Sequence, residues 1–179
     1  MIKMQKILCP VDFSECSDHA LQYAIALAQT FKAELHLIYV LEPVTYGPAT
    51  GATTITGATP ATGATTATGG LGGLGGGLDG LGAEFLEEVR ISSTNALTDL
   101  AKRARKQHAP IVERIMIGTS FVEIVKYARD QDVDLIVMGT HGRTGLPHVL
   151  IGSCAERVVR KAPCPVLTVK HPSHDFVMP

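Results

Sequence analysis

The chain has 179 residues, enough for one domain with a substantial core and too few to divide comfortably into two. Its 16 basic and 17 acidic side chains leave a formal net charge of -1, which argues against a globally basic nucleic-acid binder. At 45% hydrophobic and 18% charged residues it is not a wholly disordered chain, and with no Trp and 5% aromatics its core must be aliphatic.

Lys6-Ile-Leu-Cys-Pro-Val11 is a short apolar run closed by Asp12, which predicts a buried strand. Ser14 to Ser17 carry turn and cap chemistry, and Leu21, Ala24, Ala28 and Phe31 then share one helical face. Glu34 to Val40 predicts the second strand.

Residues 47–82 then break the pattern. They hold 13 of the 18 glycines and a single charge, Asp79, so the segment cannot bury a core of its own. Its first half repeats every six residues from Gly51, Gly57 and Gly63. Its second half places 9 glycines in the 14 residues from Gly69 to Gly82. Leu71, Leu74, Leu78, Leu81 and Phe85 keep helical spacing there. A helix over that stretch would nevertheless cost about 1 kcal/mol per glycine, roughly 9 kcal/mol in all. The expectation is a flexible, low-complexity insert, with docking on a partner or membrane as the alternative. Gly70-x-Gly72-x-x-Gly75 and Gly75-x-Gly77-x-x-Gly80 match a dinucleotide fingerprint, but no strand precedes either match, so both are artefacts of composition.

After the insert, Glu84, Glu87 and Glu88 open a helix that Lys102, Arg103, Arg105 and Lys106 close, each end complementing the macrodipole. Ile111 to Ile117 predicts a third strand. Ser120-Phe-Val-Glu123 fits a capping box opening a helix with Ile124, Val125 and Ala128 on one face. Asp134 to Met138 predicts a fourth strand. Ser153-Cys-Ala-Glu156 fits a second capping box, whose helix ends at Pro163, and Cys164 to Val169 predicts the last strand. Residues 171–179 form a tail without pattern.

Strands alternating with helices predict a single α/β domain with a doubly wound parallel sheet. Ligands of such sheets bind beyond the carboxyl ends of the strands, which directs attention to Asp12, Val40 with Leu41, and the loop after Met138. In that loop Gly139 and Gly142 let the backbone approach a ligand closely, and Gly152-Ser153 opens a helix whose N–H groups favour an anion. His141, Arg143 and Thr144 add donors, so a phosphate fits the chemistry.

Gly139-x-x-Gly142, nine residues, then Gly152-Ser153 resembles the nucleotide-binding motif of the universal stress protein family, ATP-binding type. Ile7 to Ser14, Asp134 to Gly139 and Pro163 to Val169 extend the resemblance over residues 3–170, apart from 47–82. The resemblance implies a five-stranded, Rossmann-like sheet of order 3-2-1-4-5 with the insert after the second strand. It implies a cleft that holds ATP, or AMP or ADP, with any Mg2+ carried on the phosphates. Asp12, with Pro10 and Val11, would meet the nucleoside, and the Val40 backbone the adenine edge. Gly139, after Met138, would line the ribose, and Gly142, Arg143, Gly145, Gly152 and Ser153 would surround the phosphates. The family also dimerises, commonly through the last strand, here Val166 to Val169. The Ser153 hydroxyl would cap its helix when the cleft is empty and turn to phosphate when it is filled.

No Walker lysine motif occurs, no catalytic group stands out beyond His141, and the histidines show no metal spacing. Cys9 and Cys164 read as buried thiols. Cys154 stands in the first turn of a helix, where a thiolate gains stability. With neither a signal peptide nor an 18-residue apolar run, the expected compartment is the cytoplasm. The function expected is a homodimeric, nucleotide-dependent regulatory module of a stress response, acting on an unidentified protein partner and not on nucleic acid. A slow ATP-hydrolysing enzyme and a nucleotide-independent module docking a transporter or membrane through the insert are the alternatives.

Overall fold

The computed structural model of the chain describes residues 3–45, 53–59, 63–66, 78–107, 110–142 and 151–170. The elements run β1 (Lys6–Pro10), α1 (Glu15–Phe31), β2 (Glu34–Thr45), β3 (Thr53–Thr59), β4 (Gly63–Thr66), α2 (Leu78–Arg105), β5 (Ile111–Ile117), α3 (Ser120–Asp130), β6 (Leu135–Gly139), α4 (Ser153–Lys161) and β7 (Val166–Val169). Five strands pair in parallel: β1 lies between β2 and β6, β5 flanks β2, and β7 flanks β6. Numbered among themselves, these strands have the expected order 3-2-1-4-5.

Side chains alternate between the faces of a strand, and here both faces are covered. Ile7, Cys9, Leu35, Leu37 and Val137 pack with α1 and α2. Their neighbours Leu8, Ile38, Val40, Ile136 and Met138 pack with α3 and α4. Burial on both faces explains why these strands read as unbroken apolar runs.

One polar group interrupts the second face. His36 is 3% exposed, yet its Nδ1 lies 2.9 Å from the Tyr127 hydroxyl of α3 and its Nε2 3.0 Å from Glu34 Oε2. Each ring nitrogen therefore has a partner, as burial requires.

Parts of the insert are regular. β3 and β4 form an antiparallel hairpin, and β3 pairs with the far end of β2. β2 accordingly runs on to Thr45, past the predicted end at Val40. α2 begins at Leu78, ahead of the acidic cluster, and takes in Gly80 and Gly82 alone of the glycines, so about 2 kcal/mol of the helix penalty applies. The rest of the insert, with Leu71 and Leu74, lies outside the described residues, as does the 171–179 tail.

Neither predicted capping box forms. The N-cap of α3 is Thr119, without a side-chain cap bond, and the Ser120 N–H that Glu123 would meet in the predicted box is taken by Glu42 Oε1 from β2. The N-cap of α4 is Gly152, and Ser153 is already the first helical residue. The expected switch of the Ser153 hydroxyl between capping and phosphate therefore has no basis. Cys164 is half-buried instead of fully buried.

Tyr127→Phe should leave one nitrogen of the buried His36 without its hydroxyl partner. The expected loss is about 1–3 kcal/mol, read from urea unfolding.

Candidate functional site

The chain leaves β1 through α1 toward β2, whereas β6 lies on the other side of β1. The carboxyl ends of β1 and β6 thus diverge into opposite crossovers, and a crevice opens between them. A cavity of about 220 Å3 occupies it. Pro10, Val11 and Asp12 line it from β1, Val40 from β2, Met138, Gly139 and Gly142 from the end of β6, and Gly152 and Ser153 from α4. The fold thus brings together nine of the eleven predicted site residues, drawn from sequence positions more than 140 apart. Arg143 and Gly145 lie outside the described residues.

Asp12 is fixed by the turn it starts. Its Oδ1 accepts from the Ser14 N–H at 3.0 Å and from the Ser14 hydroxyl at 2.6 Å. Ser14 in turn caps α1 by accepting from the Ser17 N–H at 3.2 Å. Phe13, between them, has φ of 62°, a left-handed conformation that a non-glycine residue adopts only under constraint. Its ring lies 4.8 Å from that of Tyr39, which holds the turn against β2.

Each glycine of the motif answers a close approach. A Cβ at Gly139 would lie 2.8 Å from Cys16 Sγ, so α1 can press against β6 only if no side chain stands there. A Cβ at Gly142 would lie 2.6 Å from Asp12 Oδ2. The Gly152 N–H donates to the Thr140 carbonyl at 2.7 Å, tying the start of α4 to the exit of β6.

Three helix N-termini surround the crevice, and they differ in what occupies them. α1 is capped by Ser14, and α3 is met by the Glu42 carboxylate. In α4 the first intrahelical bond runs from the Glu156 N–H to the Gly152 carbonyl, at 3.0 Å. The N–H groups of Ser153, Cys154 and Ala155 therefore have no acceptor within the helix, and all three residues line the cavity. Glycine at the cap supplies no side-chain acceptor. Of the three ends, α4 has the chemistry to hold an external anion.

The Cys154 thiol does not follow its helix position. Burial, followed by the charges of Glu42 and Asp12, pushes it up to about 11, and nearby Arg157 offsets only part of this. At neutral pH it is a thiol, the stabilisation that its helix position offers a thiolate being outweighed. Burial likewise pushes Cys9 to about 12. His141 also borders the cavity, its Nδ1 3.0 Å from the Thr140 hydroxyl.

Sequence reasoning missed Ser17, Tyr39, Ser120 and Ile124, which also line the cavity. The predicted strand order held a signal for the last two. The helix joining the third and fourth strands must cross β2 and β1, so its N-terminus falls beside the crevice. Among the described residues no helix is long and apolar enough to cross a membrane.

The universal stress protein family model matches residues 3–170. Universal stress protein MJ0531 of Methanocaldococcus jannaschii is 36% identical over 173 residues, covering 96% of this chain and 85% of its own. The universal stress protein UspA from Lactobacillus plantarum has a TM-score of 0.72 at 26% identity, covering 94% of this chain and 99% of its own. A universal stress protein from Archaeoglobus fulgidus, solved in complex with dAMP, shares the fold with a TM-score of 0.58 at 21% identity, covering 95% and 100%. With its five-stranded sheet, its glycine-built crevice and a family match over nearly its whole length, the chain belongs to the universal stress protein family.

Proposed function

We propose that the crevice binds an adenine nucleotide (ATP, ADP or AMP) and that the chain acts as a homodimeric regulatory module of a cytoplasmic stress response. The observation that carries this reading is the N-terminus of α4, whose first three N–H groups have no acceptor among the described residues. Three residues whose N–H groups lack helical acceptors line one cavity, which Asp12, its carboxylate held by Ser14, lines as well. That pairing suits a ligand with an anion at one end and hydroxyl donors at the other. Phosphate would meet Ser153 and the backbone at Gly142 and Gly152, with Arg143 nearby in sequence. Asp12 would accept from the ribose, and the Val40 backbone would meet the base. The Archaeoglobus protein of this fold was crystallised with dAMP, which is compatible with such a ligand. Among the described residues no three metal-ligating side chains cluster, so a divalent ion would be carried on the phosphates.

Nucleotide occupancy would regulate by favouring one arrangement of the crevice over another, provided the nucleotide binds the two with different affinity. Dimerisation would use β7. Among the described strands it pairs only with β6, and Leu167 on it is 37% exposed. An edge strand of this kind needs cover.

Mass spectrometry of small molecules released from the purified chain is expected to find ATP, ADP or AMP at near one per protomer. No release, and no binding on titration, would reject the nucleotide reading. Gly142→Ala should weaken nucleotide binding at least tenfold, because its methyl group displaces the Asp12 carboxylate; calorimetric titration with unchanged affinity would remove Asp12 from the site. Ser153→Ala should weaken it about tenfold, the scale of one hydrogen bond to a charged group. Leu167→Glu should convert a dimer to monomer in sedimentation, and an unaltered dimer would place the interface elsewhere.

A further inference from the structure

Glu42 stands where β2 leaves the parallel sheet. Leu41 is the last residue of β2 in register with β5, opposite Ile117. Glu42 is the first to pair with β3, opposite Thr56. Its side chain turns to α3 and accepts the Ser120 N–H, and Ser120 lines the cavity. An exposed carboxylate that would otherwise sample many positions is thereby held at the rim of the crevice.

From there its field reaches the first turn of α4. Glu42 and Asp12 are the two charges that oppose ionisation of Cys154, after burial itself. Cys154 directly follows Ser153, and both carry N–H groups without helical acceptors. A field that disfavours a thiolate at Cys154 disfavours phosphate oxygens gathered beside it. The two carboxylates differ in one respect: Asp12 is held by Ser14 at the floor of the crevice, whereas Glu42 is held on the neighbouring helix.

We propose that Glu42, fixed on the N-terminus of α3, is a specificity-determining residue that penalises each added phosphate charge and so biases the crevice toward nucleoside monophosphates over metal-free triphosphates. The inference rests on the nucleotide reading above. A triphosphate arriving with a divalent cation offsets part of the penalty, because the cation neutralises charge before Glu42 meets it. Two additional negative charges about 10 Å from a carboxylate, in a largely aqueous surrounding, correspond to roughly a fivefold loss in low salt.

The test compares the full chain with Glu42→Gln, which keeps an oxygen acceptor for the Ser120 N–H and removes the charge. AMP and ATP are titrated without divalent ions at low ionic strength. The expected result is about a fivefold rise in the ATP-to-AMP affinity ratio, fading as salt is added. In the nucleotide-free variant the pH profile of Cys154 alkylation, followed by peptide mass, should also move to lower pH. A purely structural role would move neither the salt dependence nor the thiol profile. Glu42→Ala, which loses the α3 contact as well, should show the same ratio change with lower stability. An unchanged ratio in Glu42→Gln while both nucleotides bind overturns the proposal and leaves the nucleotide reading standing. A change confined to Glu42→Ala overturns it too, since the contact and not the charge would then be responsible. If neither nucleotide binds either protein, the nucleotide reading falls and the proposal with it.

Discussion

The crevice depends on one close approach, that of α1 to the end of β6. Cys16 occupies the space where a side chain at position 139 would stand, and its sulfur lies 3.6 Å from the Val169 carbonyl of β7. Through that contact the first turn of α1 is set against β6 and β7 together. The position of α1 then fixes its cap Ser14, and Ser14 fixes the Asp12 carboxylate. Interiors are close-packed, so a methyl group at 139 could not be absorbed without moving one of these parts. Gly139 is thus a packing residue in its own right: its missing side chain is filled by the protein itself.

Glycines 142 and 152 work differently, although they belong to the same motif. At 142 the clash would be with a carboxylate at the end of a side chain, and at 152 a side chain would crowd the Thr140 carbonyl of the backbone at 3.2 Å. One glycine protects the geometry of a charged group, and the other lets a helix begin against the strand exit. A pattern of glycines in sequence therefore condenses three separate steric requirements of one crevice.

The parallel sheet was legible in its apolar runs and the place of the crevice in where the strands end, whereas the order 3-2-1-4-5 and most of the crevice's lining came from the resemblance to the family. Ile7 to Cys9 and Leu135 to Met138 lack alternation because both faces are covered, and that is a property a reader can see. Helix starts were not legible where the partner is distant. Ser120 and Glu123 have the spacing of a capping box, but Glu42 on another strand takes the Ser120 N–H, and no local pattern announces it. Cys154 misled for a related reason. Its place in a helix promises a stabilised thiolate, while burial and two carboxylates from elsewhere in the chain decide the matter. The glycine-rich helix penalty was summed over a stretch of which α2 uses only the end.

β2 belongs to two ladders in succession, parallel with β5 as far as Leu41 and antiparallel with β3 from Glu42. The hairpin therefore starts where the parallel pairing has already ended, and no hydrogen bond of the 3-2-1-4-5 ladder is surrendered to it. Closing a longer loop between the same two ends costs only about 0.6 kcal/mol for each doubling of its length. The end of β2 is accordingly a place where this architecture can hold inserted chain while the five strands keep their register.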